Sequence, residues 1–290
     1  MRRLRWAPML GILGLLLPAT AAIAADPVQG GERYLRFQVG ETTSYGILEG
    51  DRVRALDGDL FGSFSKTDRT YALDEVQVLI PTEPTQVLAL AGNYRSHLGD
   101  EEIPPLFRIP QPFYKSPSSL VADGEPIVIP KDSPGPVHFE AELVVVIGKT
   151  TRKVSEEEAL DHVFGVTCGN DVSERYWQND PEAKDVQWWR AKGADTFGPV
   201  GPYIATGLDP DDLLMTLRLN GEVKQQERTD HLIHDVATMV SYISRYVTLQ
   251  PGDLIFTGTP GETSAIEPGD VVEVELEGVG VLRNPVAAEE

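Results

Sequence analysis

Phe139-Glu140-Ala141-Glu142-Leu143-Val144-Val145-Val146-Ile147 is the strongest strand signal in the chain: two carboxylates lead into five consecutive large aliphatic residues. A continuous apolar run of this length, bounded by turn residues, reads as a buried strand. Alternate residues of a strand share a face, so Glu140 and Glu142 point the same way, several ångströms apart. Two like charges at the mouth of a buried strand repel, and a divalent cation is the simplest remedy. Two solvated glutamates at a strand edge are the commoner origin of the same pattern, and periodicity alone leaves both readings open. Asp171, which follows the apolar strand Val163 to Cys168 in Gly169-Asn170-Asp171, could supply a third oxygen. An all-carboxylate set without Cys or His selects Mg²⁺ or Mn²⁺, with Ca²⁺ fitting the same donors, over zinc.

Outward from this stretch, the pattern is dominated by strands. Tyr34–Val39, Ser44–Leu48 and Arg52–Leu56 alternate apolar and polar residues across short turns and read as a small antiparallel meander. Phe61 to Thr70 is polar and reads as a connection to Val76–Ile80, and Pro81 marks a domain boundary. Gln86–Ala91 reads as a buried strand. Leu98 to Pro112 is acidic, Pro-rich and without period, a loop long enough to act as a lid. Ser155 with Glu158 forms a capping box for a short helix through His162. Leu214–Leu219, Asn220-Gly221 and Glu222–Gln226 read as a hairpin, and Leu232 to Tyr246 as a helix with one apolar face. Leu254–Thr257, Val271–Leu276 and Val279–Leu282 complete the strands. The expectation is a strand-rich α+β protein, with a small N-terminal β module at 25–80 and a larger domain at 81–290.

The 290 residues carry 25 basic and 45 acidic side chains, a net charge of −20. Such a surface disfavours nucleic acid, which needs clustered cations, and anionic lipid. An anionic small substrate must be drawn in by a local cationic pocket. The 27 Gly and 22 Pro favour strands and turns over a helix bundle. A single cysteine, Cys168, excludes an internal disulfide and any CxxC motif, and without a basic neighbour it is no nucleophile. Residues 1–24 have an arginine-rich start, a short apolar run from Met9 to Leu17 and an Ala22-Ile23-Ala24 site, the pattern of a cleavable signal peptide. An uncleaved anchor is the alternative, but the run is about half of the ~20 residues a membrane span needs. Cleavage removes three arginines and no acid, taking −20 to −23. The expected product is an exported, periplasmic protein with no stable membrane association.

Further candidates for chemistry lie elsewhere. His97 is followed three residues on by Asp100, and on a helix the two side chains meet, giving an oriented general base. A surface histidine and a surface aspartate explain the same spacing. Lys115, Arg175 and Lys192 sit amid Pro, Trp and Gly rather than in solvated charge runs, and could bind a carboxylate or stabilise an enolate. Ordinary ion pairing with some of the 45 acids is the rival reading. His138 adjoins Glu140 but stands at an uncertain loop-to-strand junction and is left out of the ligand set. Trp188 and Trp189 are expected to pack.

These pieces have a collective order. Gly92-Asn93-Tyr94-Arg95-Ser96-His97, Phe113-Tyr114-Lys115, Glu140-Ala141-Glu142-Leu143, Asn170-Asp171-Val172-Ser173, Lys192 to Pro199, Asn220-Gly221-Glu222 and Thr257-Gly258-Thr259-Pro260 follow one another as they do in the fumarylacetoacetate hydrolase family, which the chain resembles over about residues 34 to 286. The resemblance implies a mixed β-sandwich roll, a homodimer, and a Mg²⁺ or Mn²⁺ held by Glu140, Glu142 and Asp171. It also places Lys192 and Thr259 beside the substrate, Arg175 and Gln178 on the substrate's oxygens, and His97 on the lid as the residue that activates water or shuttles protons. Two departures stand out: Asp100 occurs where the family has Glu, and His138 where many members have Asp. The implied reaction acts on a small anionic 2-oxo or 2-hydroxy acid through a metal-stabilised enolate, leading to hydrolysis, decarboxylation or keto–enol isomerisation. Gln187 to Pro199 is most similar to the hydroxyhepta-dienedioate isomerase and ureidoglycolate lyase branches. The rivals are lyase-type C–N cleavage and an exported binding protein that has lost turnover.

Overall fold

The computed structural model describes residues 31–99 and 102–290. The leader reading of residues 1–24 and the Asp100 half of the His97–Asp100 pair lie outside the described residues. The central strand is Ala141–Ile147, and all seven of its residues are buried. Its run of aliphatic residues is continuous because both faces are covered. Leu143, Val145 and Ile147 pack with Met215, Leu217, Val274 and Leu282 and with Met239 and Val240 of the helix Val236–Ser244. Val144 and Val146 face the opposite way, onto Tyr34, Ile47, Ile204 and Phe256.

Around this strand runs a 12-stranded mixed sheet. Its order is Phe64–Ala72, Arg52–Gly58, Thr42–Glu49, Arg33–Val39, Gly198–Ala205, Val163–Asn170, Ala141–Ile147, Leu254–Phe256, Val87–Leu90 and Pro112–Lys115, with two short strands attached at the side. A 5-stranded sheet, Glu222–Arg228, Leu214–Leu219, Val271–Leu276, Gly280–Ala288 and Ile127–Ile129, packs across the Leu143 face. The architecture is the expected strand-rich α+β roll with an N-terminal strand module. That module does not form a sheet of its own, because Arg33 and Tyr34 pair with Ala205 and Ile204. Among the described residues no helix is long and apolar enough to cross a membrane.

Three local expectations change, and one strand is new. Phe64–Ala72 is a strand rather than a connection; it lies at the sheet edge, where a polar sequence is ordinary. Gly198–Ala205 is a buried strand that the sequence hides, since Gly198-Pro199 and Gly201-Pro202 read as turns. The helix expected from Leu232 starts only at Val236. Asp235 is its N-cap, accepting from Thr238 N at 2.8 Å, and Leu232 and Ile233 belong to the approach. Of the two tryptophans expected to pack, Trp188 stands edge-on to Phe113 at 5.2 Å, but Trp189 is 69% exposed. The Asn220-Gly221 turn is as expected: Leu219 pairs with Glu222, and both turn residues have positive φ.

Leu143 tests the two-sided burial. Leu143→Ala is expected to cost about 2–5 kcal/mol of stability, read as a lower midpoint in chemical denaturation with an unchanged slope.

Candidate metal centre

The register of two strands assembles the carboxylates. Ala141 pairs with Asn170 and Glu142 with Gly169, so Asp171 leaves its strand beside Glu140. Two bonds lock this junction: Asp171 N donates to Glu140 O at 2.9 Å, and Glu140 N donates to Asn170 Oδ1 at 2.8 Å. One carboxylate oxygen from each of Glu140, Glu142 and Asp171 then lies within 4.8 Å of the others, and all three residues are buried. Glu142 Oε2 accepts from Gly258 N at 2.7 Å. That position requires glycine, since its φ is +105° and a Cβ would stand 2.9 Å from Asn93 Cβ. Among the described residues, the buried Glu142 Oε1 has no hydrogen-bond partner.

Three cations surround the triad. Lys192 Nζ donates to Glu140 Oε2 at 2.8 Å, Asp171 Oδ2 at 2.7 Å and Ser173 Oγ at 2.7 Å. Arg175 pairs with Glu140 Oε1 at 2.7 Å and also donates to Gln178 Oε1 at 2.6 Å and Thr263 Oγ1 at 2.7 Å. Lys115 corrects an expectation. Rather than facing a substrate, its Nζ is wholly buried and donates to Asp171 Oδ1 at 2.6 Å, to Phe197 O at 3.1 Å and to Lys192 O. An ammonium has three hydrogens, so none is left over. Lys115 fastens both ends of the 192–197 turn to Asp171.

The carboxylates differ in their electrostatics. Burial alone would raise the Glu140 pKa, but Lys192 and then Arg175 outweigh it and bring it to about 2. Glu142 goes the other way: burial, then the charges of Asp171 and Glu140, push it well above the usual carboxylate range. Burial would lower Lys192, yet Asp171 and Glu140 raise it, while for Lys115 burial prevails and lowers it. A buried acid with an orphaned oxygen and two acidic neighbours lacks a cation on its open side. An ion held by Glu140, Glu142 and Asp171 fills that need, and three oxygen donors with no sulfur or imidazole suit a hard divalent metal. The residues present therefore fit Mg²⁺ or Mn²⁺.

The remaining candidates gather around the same centre. His97 lies on the short helix Arg95–Leu98. Its Nδ1 bonds Gly261 O at 2.7 Å. A carbonyl only accepts, so Nδ1 carries the proton and Nε2 of the neutral ring keeps a free lone pair. The Gly261 carbonyl thus orients the ring, while Asp100 lies outside the described residues. Thr259 follows Gly258 and its Oγ1 accepts from Gln225 Nε2 at 3.0 Å. His138 stays outside the triad and bonds Thr263 Oγ1 at 2.9 Å; burial, then Arg175, lowers its pKa to about 4. Sequence reasoning gave no role to Ser173, Gln225 or Thr263. Ser173 lies in the Asn170–Ser173 segment, two residues beyond Asp171, and could have been found there. Gln225 and Thr263 carry no local signal.

Comparison with known proteins bears on the family and the fold. The family model described as Fumarylacetoacetate (FAA) hydrolase C-terminal matches residues 86–287. The chain belongs to the fumarylacetoacetate hydrolase family. A second model, Rv2993c-like N-terminal, matches residues 32–81. Protein Rv2993c of Mycobacterium tuberculosis is 43% identical over 229 residues, 78% of this chain and 84% of the relative. The crystal structure of 2-hydroxyhepta-2,4-diene-1,7-dioate isomerase from Mycobacterium marinum superposes with a TM-score of 0.80 at 39% identity, covering 89% of this chain and 99% of that one. A more distant family structure, maleylpyruvate hydrolase from Sphingobium sp. SYK-6 in complex with manganese(II) and pyruvate, has a TM-score of 0.71 at 27% identity, covering 89% and 100%.

Because Glu142 is protonated more readily than an ordinary carboxylate, metal must displace its proton. Mn²⁺ affinity is expected to rise with pH below the raised Glu142 pKa, by up to about tenfold per unit for one proton released, and to level off above it. Calorimetric titrations in buffers of different ionisation enthalpy read the proton directly, and Glu142→Gln should abolish both the release and most of the binding.

Proposed function

We propose that the chain is a divalent-metal-dependent enzyme acting on small 2-oxo or 2-hydroxy carboxylic acids. The observation that carries this reading is the buried triad of Glu140, Glu142 and Asp171, with its orphaned Glu142 Oε1, enclosed by Lys115, Lys192 and Arg175. The three acids and three bases cancel in formal charge, so a divalent ion leaves the centre doubly positive, the complement of a dianionic acid. A bound Mg²⁺ or Mn²⁺ supplies Lewis-acid polarisation of the substrate's 2-oxo and carboxylate oxygens. The names of two family members, a dienedioate isomerase and a maleylpyruvate hydrolase held with pyruvate, support this substrate class.

The chain's own residues supply the rest. Lys192, whose three hydrogens are held by Glu140, Asp171 and Ser173, brings charge rather than a hydrogen bond to an oxygen that becomes negative as a C–C bond breaks or a proton moves, and Arg175 adds its own. Both are already oriented by carboxylates, so little reorganisation accompanies the reaction. Gln178, bonded to Arg175, holds that guanidinium's free edge. His97, whose Nε2 has no partner among the described residues, takes a proton from water for hydrolysis or from carbon for isomerisation. Lys115 and the 192–197 turn keep Lys192 from leaving the centre.

An ultraviolet assay against acylpyruvates, oxaloacetate and dienedioates, each with Mg²⁺, Mn²⁺ or EDTA, identifies the branch. Turnover that EDTA abolishes and Mn²⁺ restores is the expected result, and turnover unaffected by EDTA sinks the reading. Lys192→Met is expected to lose at least about 10²-fold in kcat while binding Mn²⁺ no more weakly, since the charge removed repels the metal.

A further inference from the structure

Gln225 projects from the Glu222–Arg228 strand of the smaller sheet into the centre, is 5% exposed, and satisfies all its polar atoms there. Its Oε1 accepts from Ala141 N, the amide between the two metal-site glutamates, at 3.0 Å. Its Nε2 donates to Thr259 Oγ1 at 3.0 Å and to Pro260 O at 2.5 Å. The orientation of the amide is forced from both ends. The Ala141 amide can only donate and the Pro260 carbonyl can only accept, so the nitrogen must face Thr259.

This fixes the polarity of the Thr259 hydroxyl. One of its two oxygen lone pairs is taken by Gln225, and among the described residues its own proton has no acceptor. Thr259 is 4% exposed and adjoins Gly258, whose amide holds Glu142. Resting on the reading under Proposed function, we infer that Gln225 is a positioning residue that presets Thr259 as a hydrogen-bond donor to a carboxylate or 2-oxo oxygen of the substrate. Gln225 thereby makes the site selective for an acceptor at that point. A substrate group that can only donate there, such as an ammonium, is confined to the one remaining lone pair and leaves the Thr259 proton unpaired, so it binds less well.

Two substitutions at one position separate polarity from architecture. Gln225→Glu keeps the shape and the Ala141 bond, but once ionised, which the titration secures by working at a pH where oxalate affinity no longer changes with pH, the new oxygen has no hydrogen to give and the Thr259 proton turns onto it. Gln225→Met breaks all three bonds yet leaves the Thr259 proton free. The probe is oxalate binding to the Mn²⁺-loaded protein by calorimetry, with Mn²⁺ affinity and thermal midpoint measured alongside. Preset polarity predicts that Gln225→Glu weakens oxalate at least about tenfold, as loss of a charge-assisted hydrogen bond does. It also predicts that Gln225→Glu is worse than Gln225→Met, that Thr259→Val matches Gln225→Glu, and that the two combined lose no more than either alone. A purely structural Gln225 gives the reverse order, Met worse than Glu, and additive losses, and either outcome overturns the inference. Should neither Gln225 variant fold, Thr259→Ser retaining oxalate affinity and Thr259→Val losing it sustains the inference, and equal binding by both overturns it. A wild-type protein that neither binds oxalate nor turns over any 2-oxo acid defeats the functional reading, and this inference with it. A wild type that does both, with the wrong order of variants, defeats the inference alone.

Discussion

Three carboxylates confined within 4.8 Å in a dry interior cannot all ionise unless positive charge is brought to them. Much of the local architecture answers that demand. Lys192 and Lys115 are buried on opposite oxygens of Asp171, and Arg175 closes over Glu140. Each cation in turn needs acceptors for its remaining hydrogens, and the carbonyls of Lys192 and Phe197, with the hydroxyls of Ser173 and Thr263, provide them. Among the described residues, Glu142 alone of the three is left without a basic partner in contact. The imbalance at that one carboxylate sets the cluster apart from a self-sufficient group of salt bridges.

Holding these charges in place requires rigidity from both sheets. Glu140 and Glu142 lead into a strand packed on both faces, and Asp171 leaves the strand paired with it. The loop at Gly258 is tied to the carboxylates through Glu142, to the smaller sheet through Gln225 and to the helix Arg95–Leu98 through His97 and Gly261. A displacement of either sheet would therefore be felt at the triad. Such sites gain their electrostatic effect from pre-orientation rather than from the strength of any one bond.

How much of this was legible in the sequence depends on the distance over which each signal acts. Glu140 and Glu142 were readable because strand period is local, and Asp171 because its position after a second apolar strand is local too. The order of seven short motifs supplied what periodicity left open. Lys115 was recognised as part of the site, but its inward direction depends on carbonyls 77 and 82 residues away, which no local pattern reports. Gln225 and Thr263 carry common side chains in unremarkable surroundings, and only the fold gives them partners. The Gly198–Ala205 strand was hidden by its glycines and prolines, whose turn preference is overridden by pairing on both sides.

That strand has a consequence for where the molecule can be divided. Sequence similarity draws a seam between residues 81 and 86, where one family model ends and the next begins. Hydrogen bonding draws none there, because Gly198–Ala205 gives one edge to Val163–Asn170 and the other to Arg33–Val39. A fragment beginning at residue 86 would uncover the edge at Ile204 and Ala205 that Tyr34 and Arg33 now pair with. The unit that similarity separates is therefore smaller than the unit that hydrogen bonding holds together.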